Sequence, residues 1–209
     1  MTLPHRIRPA AGDPEGALVL MHGRGTSEDD LFPLLDVLDP KRRRLGVTPG
    51  GPLHLPPGGQ HWYMVPRVGY PDPDTWAQGY GALTAFLDSL DLDWSRTILG
   101  GFSQGTVMSY AVGLGQGRPL PAGIVALSGF IPTVESWALR DDIPRGFPVA
   151  IGHGTRDQII SVDFARAARE RLEAAGADVT YHESEIPHTI DPRFLASLTD
   201  WVERVVPPR

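Results

Sequence analysis

Six short apolar runs, at residues 17–21, 45–48, 97–99, 124–127, 149–151 and 179–182, give way in turn to turn residues and segments of helical period. That alternation specifies a mostly parallel sheet, because parallel strands need long crossovers and helices to cover both faces. Trp76, Tyr80, Leu83, Leu87 and Leu90 keep a 4,3,4,3 spacing, and Val107, Ala111 and Leu114 repeat it in part. Such stripes are core-facing helices rather than cofactor-binding stretches. Ser27 with Asp30 resembles a capping box ahead of Leu31, Leu34, Leu35 and Leu38, and Gly176 closes the stripe Phe164, Ala168, Leu172, Ala175. A last helix is expected over residues 194–205. With no internal repeat and no linker, residues 1–209 read as one compact α/β domain with helices on both faces of the sheet. A chain of this length buries about 70% of the surface its unfolded form exposes. Residues 49–73 form the one long irregular stretch, at most a small lid; loops of that length are usually functional or mobile.

Composition narrows the chemistry by exclusion. The chain has no cysteine, so disulfides, thiolate metal sites and a cysteine nucleophile are all absent. A net charge of −6 argues against a nucleic-acid surface, and the run Lys41 to Arg44 reads as a solvated turn. Residues 1–10 lack the apolar core of a signal peptide, and no stretch is long and apolar enough to span a membrane. A cytoplasmic protein without membrane span, metal or cofactor is expected. A homodimer is carried as an open expectation.

The chemically informative segment runs from Thr97 to Met108, where a strand ends in Gly101-Phe102-Ser103-Gln104-Gly105 and passes directly into a helix. A nucleophilic serine on such a strained turn projects above the sheet, and the two glycines let strand and helix approach closely. The pattern alone arises by chance in roughly one chain in eight of this composition, so the flanking strand and helix carry the weight. The bland alternative is an ordinary tight turn between a strand and a helix.

A serine nucleophile needs a base, and His188 follows the strand near residues 179–183 by a short loop. His153 and His182 are weaker candidates, one preceding the expected acid and the other lying within a strand. His22 reads as bonding its own loop. Asp157, a few residues past the run 149–151, would orient His188; Asp163 is the fallback, better placed to cap a helix. The tetrahedral oxyanion needs donors, and the backbone N–H groups of Arg24 and Gln104 are the candidates.

Five motifs then resemble a known family: residues 21–31 (Met-His-Gly-Arg-Gly-Thr-Ser-Glu-Asp-Asp-Leu), 100–105 (Gly-Gly-Phe-Ser-Gln-Gly), 127–132 (Leu-Ser-Gly-Phe-Ile-Pro), 153–157 (His-Gly-Thr-Arg-Asp) and 187–190 (Pro-His-Thr-Ile). Their order and spacing are similar to those of the bacterial phospholipase/carboxylesterase family, relatives of the acyl-protein thioesterases in the α/β-hydrolase superfamily. The resemblance spans nearly the whole chain. It implies the α/β-hydrolase fold and metal-free hydrolysis of a small-molecule carboxylic ester or thioester through an acyl-enzyme. Arg24 stands where this family commonly carries an apolar residue, which argues against long lipid acyl groups, and Pro187 replaces a frequent glycine.

Trp62, Tyr63, Met64 and Val65, with Phe130 and Ile131, are expected to wall the substrate pocket. The alternative for Trp62 is packing of its loop against the core. The expected function is a serine carboxylesterase acting on small to medium esters. Its competitors are a thioesterase or lysophospholipase for longer acyl chains, and a non-catalytic ligand receptor on the same scaffold.

Overall fold

Each of the six apolar runs becomes a strand, and the strands lie in one sheet. The computed structural model describes residues 2–56 and 58–209, so Met1 and Pro57, which fall within stretches considered above, lie outside the described residues. In chain order the elements are β1 (His5–Arg8), β2 (Ala17–Met21), α1 (Leu34–Leu38), β3 (Leu45–Pro49), β4 (Leu53–His54), β5 (Gln60–His61) and α2 (Pro73–Asp88). They continue with β6 (Thr97–Phe102), α3 (Gln104–Leu114), β7 (Gly123–Leu127), β8 (Pro148–Gly154), α4 (Asp163–Ala174), β9 (Asp178–Ser184) and α5 (Pro192–Val205). The order across the sheet is β1-β3-β2-β6-β7-β8-β9; β1 runs antiparallel to β3, and the other neighbours are parallel.

Side-chain alternation along the strands divides the core between two faces. Val19, Val47 and Leu99 point toward α2 and α3, while Leu18, Leu20, Ile98 and Val125 meet α1 and α5. Ile124, Ala126, Val149 and Ile151 pack with α4 and the far end of α3. Full burial of each such Leu, Ile or Val side chain contributes about 1.5–3 kcal/mol. Every residue of α3 is buried, as expected for a helix enclosed by protein on all sides. Asp72 and Asp191 cap α2 and α5 through the N–H groups of Thr75 and Arg193, each with a proline at the first helical position. Among the described residues no helix is long and apolar enough to cross a membrane.

Several expectations need correction. The Ser27 and Asp30 pair begins a turn, not a helix: Asp30 N–H donates to Ser27 O, and α1 starts only at Leu34 after Pro33. Proline cannot supply the donor that a helix running through from Ser27 would need. Leu90 lies beyond the end of α2. The run Lys41 to Arg44 is only partly solvated, since Arg44 is 1% exposed and turns its guanidinium under α5. The irregular stretch 49–73, read as at most a small lid, is tied down near its centre, where β4 pairs with β5 and both Trp62 and Tyr63 are buried.

Candidate active site

The carboxyl ends of β2, β6, β8 and β9 lie along one edge of the sheet, and the loops leaving them hold the candidate residues. Ser103 sits between β6 and α3 at φ 55°, ψ −116°, a conformation that L residues adopt at a cost of about 1–3 kcal/mol. The turn is enforced from both sides. A Cβ on Gly105 would strike the Met21 carbonyl of β2, and one on Gly101 would strike the backbone of Gly105 itself. Thr106 Oγ1 joins the bottom of the turn to β7 by donating to Leu127 O and accepting from Leu127 N–H (3.0 Å).

Ser103, His188 and Asp157 form a continuous hydrogen-bonded chain. Ser103 Oγ lies 3.0 Å from His188 Nε2, and His188 Nδ1 lies 2.6 Å from Asp157 Oδ2. The other carboxylate oxygen of Asp157 accepts from the N–H groups of Ile159 and Ile160, both at 2.8 Å. Two backbone bonds hold the loops bearing His188 and Asp157 together: Thr155 N–H donates to Ser184 O (2.7 Å) and Arg156 N–H to Ile186 O (3.1 Å). The Phe102 ring packs against the imidazole of His188, with centroids 4.8 Å apart. Asp163, the fallback acid, is elsewhere, at the first turn of α4 beside Ser161 and Arg166.

A cleft of about 380 Å³ opens above Ser103 and His188. Arg24 and Gln104 both line it, and neither backbone N–H donates to a protein acceptor among the described residues. Tyr63, Val65 and Phe130 also line it, joined by Val68, Ile159 and Ile160. Trp62, Met64 and Ile131 do not. Trp62 is fully buried, with its indole N–H donating to His22 O (2.9 Å) and its backbone N–H to the Gln104 side-chain oxygen (3.0 Å). Ile131 is packed among the residues of α3 and α4, and Met64 is exposed outside the cleft. The segment therefore folds so that consecutive residues serve different surfaces. Sequence reasoning missed Ile159 and Ile160, although an apolar pair two residues after Asp157 was a signal for them.

The phospholipase/carboxylesterase family profile matches residues 77–206, well over half of the chain. The chain belongs to the phospholipase/carboxylesterase family. This family member is a hydrolase acting on carboxylic esters. Acyl-protein thioesterase 1 of Debaryomyces hansenii is 27% identical to it, over 96% of both chains. Acyl-protein thioesterase 1 of Emericella nidulans is 32% identical over 54% of this chain and 49% of that one. Among solved structures, esterase PE8 superposes with a TM-score of 0.86 at 29% identity, covering 98% of this chain and 100% of that one. The Bacillus cereus carboxylesterase shares the fold, with a TM-score of 0.84 at 22% identity over 97% of this chain and 94% of that one. The motifs suggested the bacterial branch of the family; the two sequence relatives are fungal.

Two buried histidines brace the site of this hydrolase without lining its cleft. His22 Nδ1–H donates to Gly23 O (2.6 Å), while Nε2 accepts from Gly51 N–H (2.9 Å), an arrangement available only to the neutral ring. His153 Nε2 lies 2.8 Å from Ile160 O and 3.3 Å from Asp157 Oδ2. Burial pushes the pKa of both below the ordinary 6.5. His182, on β9 beside the strand that carries His153, is stacked on Phe194. In the unfolded chain His22 and His153 take up protons near pH 6.5, whereas in the folded protein they resist until lower pH. The unfolded state thus binds more protons below that pH, and stability falls as the solution is acidified. The thermal midpoint is expected to drop between pH 7.5 and 5.5, above the carboxylate range, and the slope to flatten in His22→Gln. A midpoint constant across that interval would contradict this.

Proposed function

We propose that this family member is a serine carboxylesterase using Ser103 as nucleophile, His188 as general base and acid, and Asp157 as the group that orients His188. The observation that carries this is the unbroken hydrogen-bonded chain from Asp157 through His188 to a serine in strained backbone at the floor of the cleft. In that mechanism Ser103 Oγ attacks the ester carbonyl as His188 Nε2 takes its proton. The negative charge that develops on the carbonyl oxygen is met by the N–H groups of Arg24 and Gln104, each worth about 3 kcal/mol. Gln104 is at the first position of α3, where unpaired N–H groups and the helix dipole both favour an anion. His188 then gives its proton to the departing alcohol, and water, activated by the same imidazole, resolves the acyl-enzyme. Asp157 keeps Nδ1 protonated and balances the transient imidazolium charge.

Small to medium acyl groups fit this reading. The cleft lies near the lower end of the ~300–1,000 Å³ range of small-molecule sites and is walled mainly by apolar side chains. The likeness to acyl-protein thioesterase 1 across 96% of the chain supports a second reading, a thioesterase or lysophospholipase for longer acyl groups. Two measurements test these. A fluorophosphonate is expected to label the protein once, on the peptide containing Ser103; labelling elsewhere, or none, would overturn the mechanism. With 4-nitrophenyl acetate, butyrate, octanoate and palmitate, kcat/KM should rise about fourfold per methylene while the cleft still covers the chain. It should peak at butyrate or octanoate. A rise continuing to palmitate favours the second reading, and binding without turnover of any ester is the behaviour of a non-catalytic receptor.

A further inference from the structure

We infer that the Arg24 side chain makes this enzyme selective for esters carrying a negative charge, a carboxylate or a phosphate, close to the scissile carbonyl. The inference rests on the esterase reading and adds the substrate class. Three observations carry it. Tyr63, Val65, Val68, Phe130, Ile159 and Ile160 give the cleft largely apolar walls, and Arg24 is the one arginine or lysine among its lining residues. Arg24 is exposed, and among the described residues its guanidinium has no hydrogen bond, ion pair or aromatic partner. Its loop is fixed, because Gly25 N–H donates to Gln60 O (2.9 Å), Gln60 N–H donates to Thr26 O (2.7 Å) and Thr26 Oγ1 donates to Gly23 O (3.1 Å).

These facts set both the charge and its distance. If the Arg24 N–H holds the oxyanion, the Arg24 Cα lies roughly 4 Å from the carbonyl oxygen, given one N–Cα bond and one short hydrogen bond. The guanidinium of that same residue then reaches groups on either side of the ester, but only groups near it. A planar fork of donors suits a carboxylate or phosphate, and apolar walls strengthen the attraction by excluding water. Asp30, also exposed, lines the cleft but makes no ion pair with Arg24, and its charge opposes an anionic substrate. The charged groups facing a bound ester are thus Arg24 and Asp30, with His188 when it is protonated.

The test compares matched pairs of esters within each protein. One pair is 4-nitrophenyl hydrogen adipate against 4-nitrophenyl methyl adipate, which puts a carboxylate on the acyl side. The other is 2-acetoxyethyl phosphate against 2-acetoxyethyl methyl ether, which puts a phosphate on the alcohol side. Wild type is expected to favour the anionic member of at least one pair by about tenfold in kcat/KM, mostly through KM. The pair showing that preference identifies the side on which the charge is carried. Arg24→Leu should bring the ratio to one or below, Arg24→Lys should keep part of it, and Asp30→Asn should raise it. Raising salt from about 50 to 500 mM should reduce it in wild type. A wild-type ratio near one in both pairs, or a ratio unchanged in Arg24→Leu, overturns the inference. If neutral esters are still cleaved and Ser103 is still labelled, the esterase reading survives that failure. If no ester is cleaved and Ser103 is not labelled, both fall.

Discussion

Replacing Ser103 with alanine is expected to lower kcat on an activated ester by about ten-thousand-fold or more, with little change in KM. In the proposed mechanism the hydroxyl supplies the attacking oxygen, and nothing else in the cleft would replace it: the other hydroxyls among its lining residues belong to Thr26 and Tyr63. Neither is hydrogen-bonded to His188, whose Nε2 faces Ser103. A residual rate above that of water should remain, because the N–H groups of Arg24 and Gln104 belong to the backbone and survive the substitution. Folding should be unaffected, since alanine occupies the same space and the turn is held by Gly101, Gly105 and Thr106 rather than by the serine side chain. Retention of activity within tenfold of wild type, with a circular dichroism spectrum unchanged, would remove Ser103 from the mechanism.

The largest effect on stability is expected far from the cleft, at Asp39. Arg8, Asp39 and Arg44 are all at most 3% exposed and form one cluster. Asp39 Oδ2 accepts from Arg8 (2.6 Å) and from the Arg44 N–H (3.0 Å), and Oδ1 accepts from the Arg44 guanidinium (3.0 Å). The arginines in turn donate to carbonyls of Leu35 and Asp39 at the end of α1, and of Val202 and Val206 at the end of α5. Asp39→Ala leaves the buried Arg44 cation with no carboxylate and Arg8 with only the half-exposed Asp36, 3.1 Å away. Breaking a buried pair in this way costs about 3–5 kcal/mol, a large part of the ~5–15 kcal/mol that keeps a domain folded. The thermal midpoint should fall by roughly 6–20 °C, and Asp39→Asn, which keeps an acceptor but loses the charge, should fall less. A urea midpoint shift equivalent to under about 1 kcal/mol would show that water reaches the cluster.

That cluster also marks where the sequence was hardest to read. Arg44 ends a run of four cations, and such runs are ordinarily solvated; its burial depends on Asp39 and on carbonyls 158 and 162 residues away. Strand β1 was missed for a related reason. In His5-Arg6-Ile7-Arg8 the apolar Ile7 is exposed and the charged Arg8 is buried, reversing the usual pattern at the antiparallel edge of the sheet. The six central strands were legible because strands covered on both faces read as continuous apolar runs. The residues of the hydrogen-bonded chain were legible because this topology leaves only a few loops at the carboxyl ends of its strands, and chain order assigns one group to each. The cleft wall was less so: whether Trp62 or Tyr63 faces the cleft is decided by the Gln104 side chain, which bonds the backbone of both. No local pattern reports a contact across 40 residues.

The bonds from Ile159 and Ile160 to Asp157 have an evolutionary consequence. The same two residues hold the carboxylate through their backbone N–H groups and line the cleft, Ile159 with a side chain that is 58% exposed and Ile160 with one packed into the core. Point changes at Ile159 can reshape the cleft wall while the carboxylate keeps its two donors, whereas inserting or deleting a residue would shift those donors out of place. Position 159 is therefore free to vary in side chain while the loop is constrained in length, so divergence among descendants of this chain should alter that side chain far more readily than the loop's spacing.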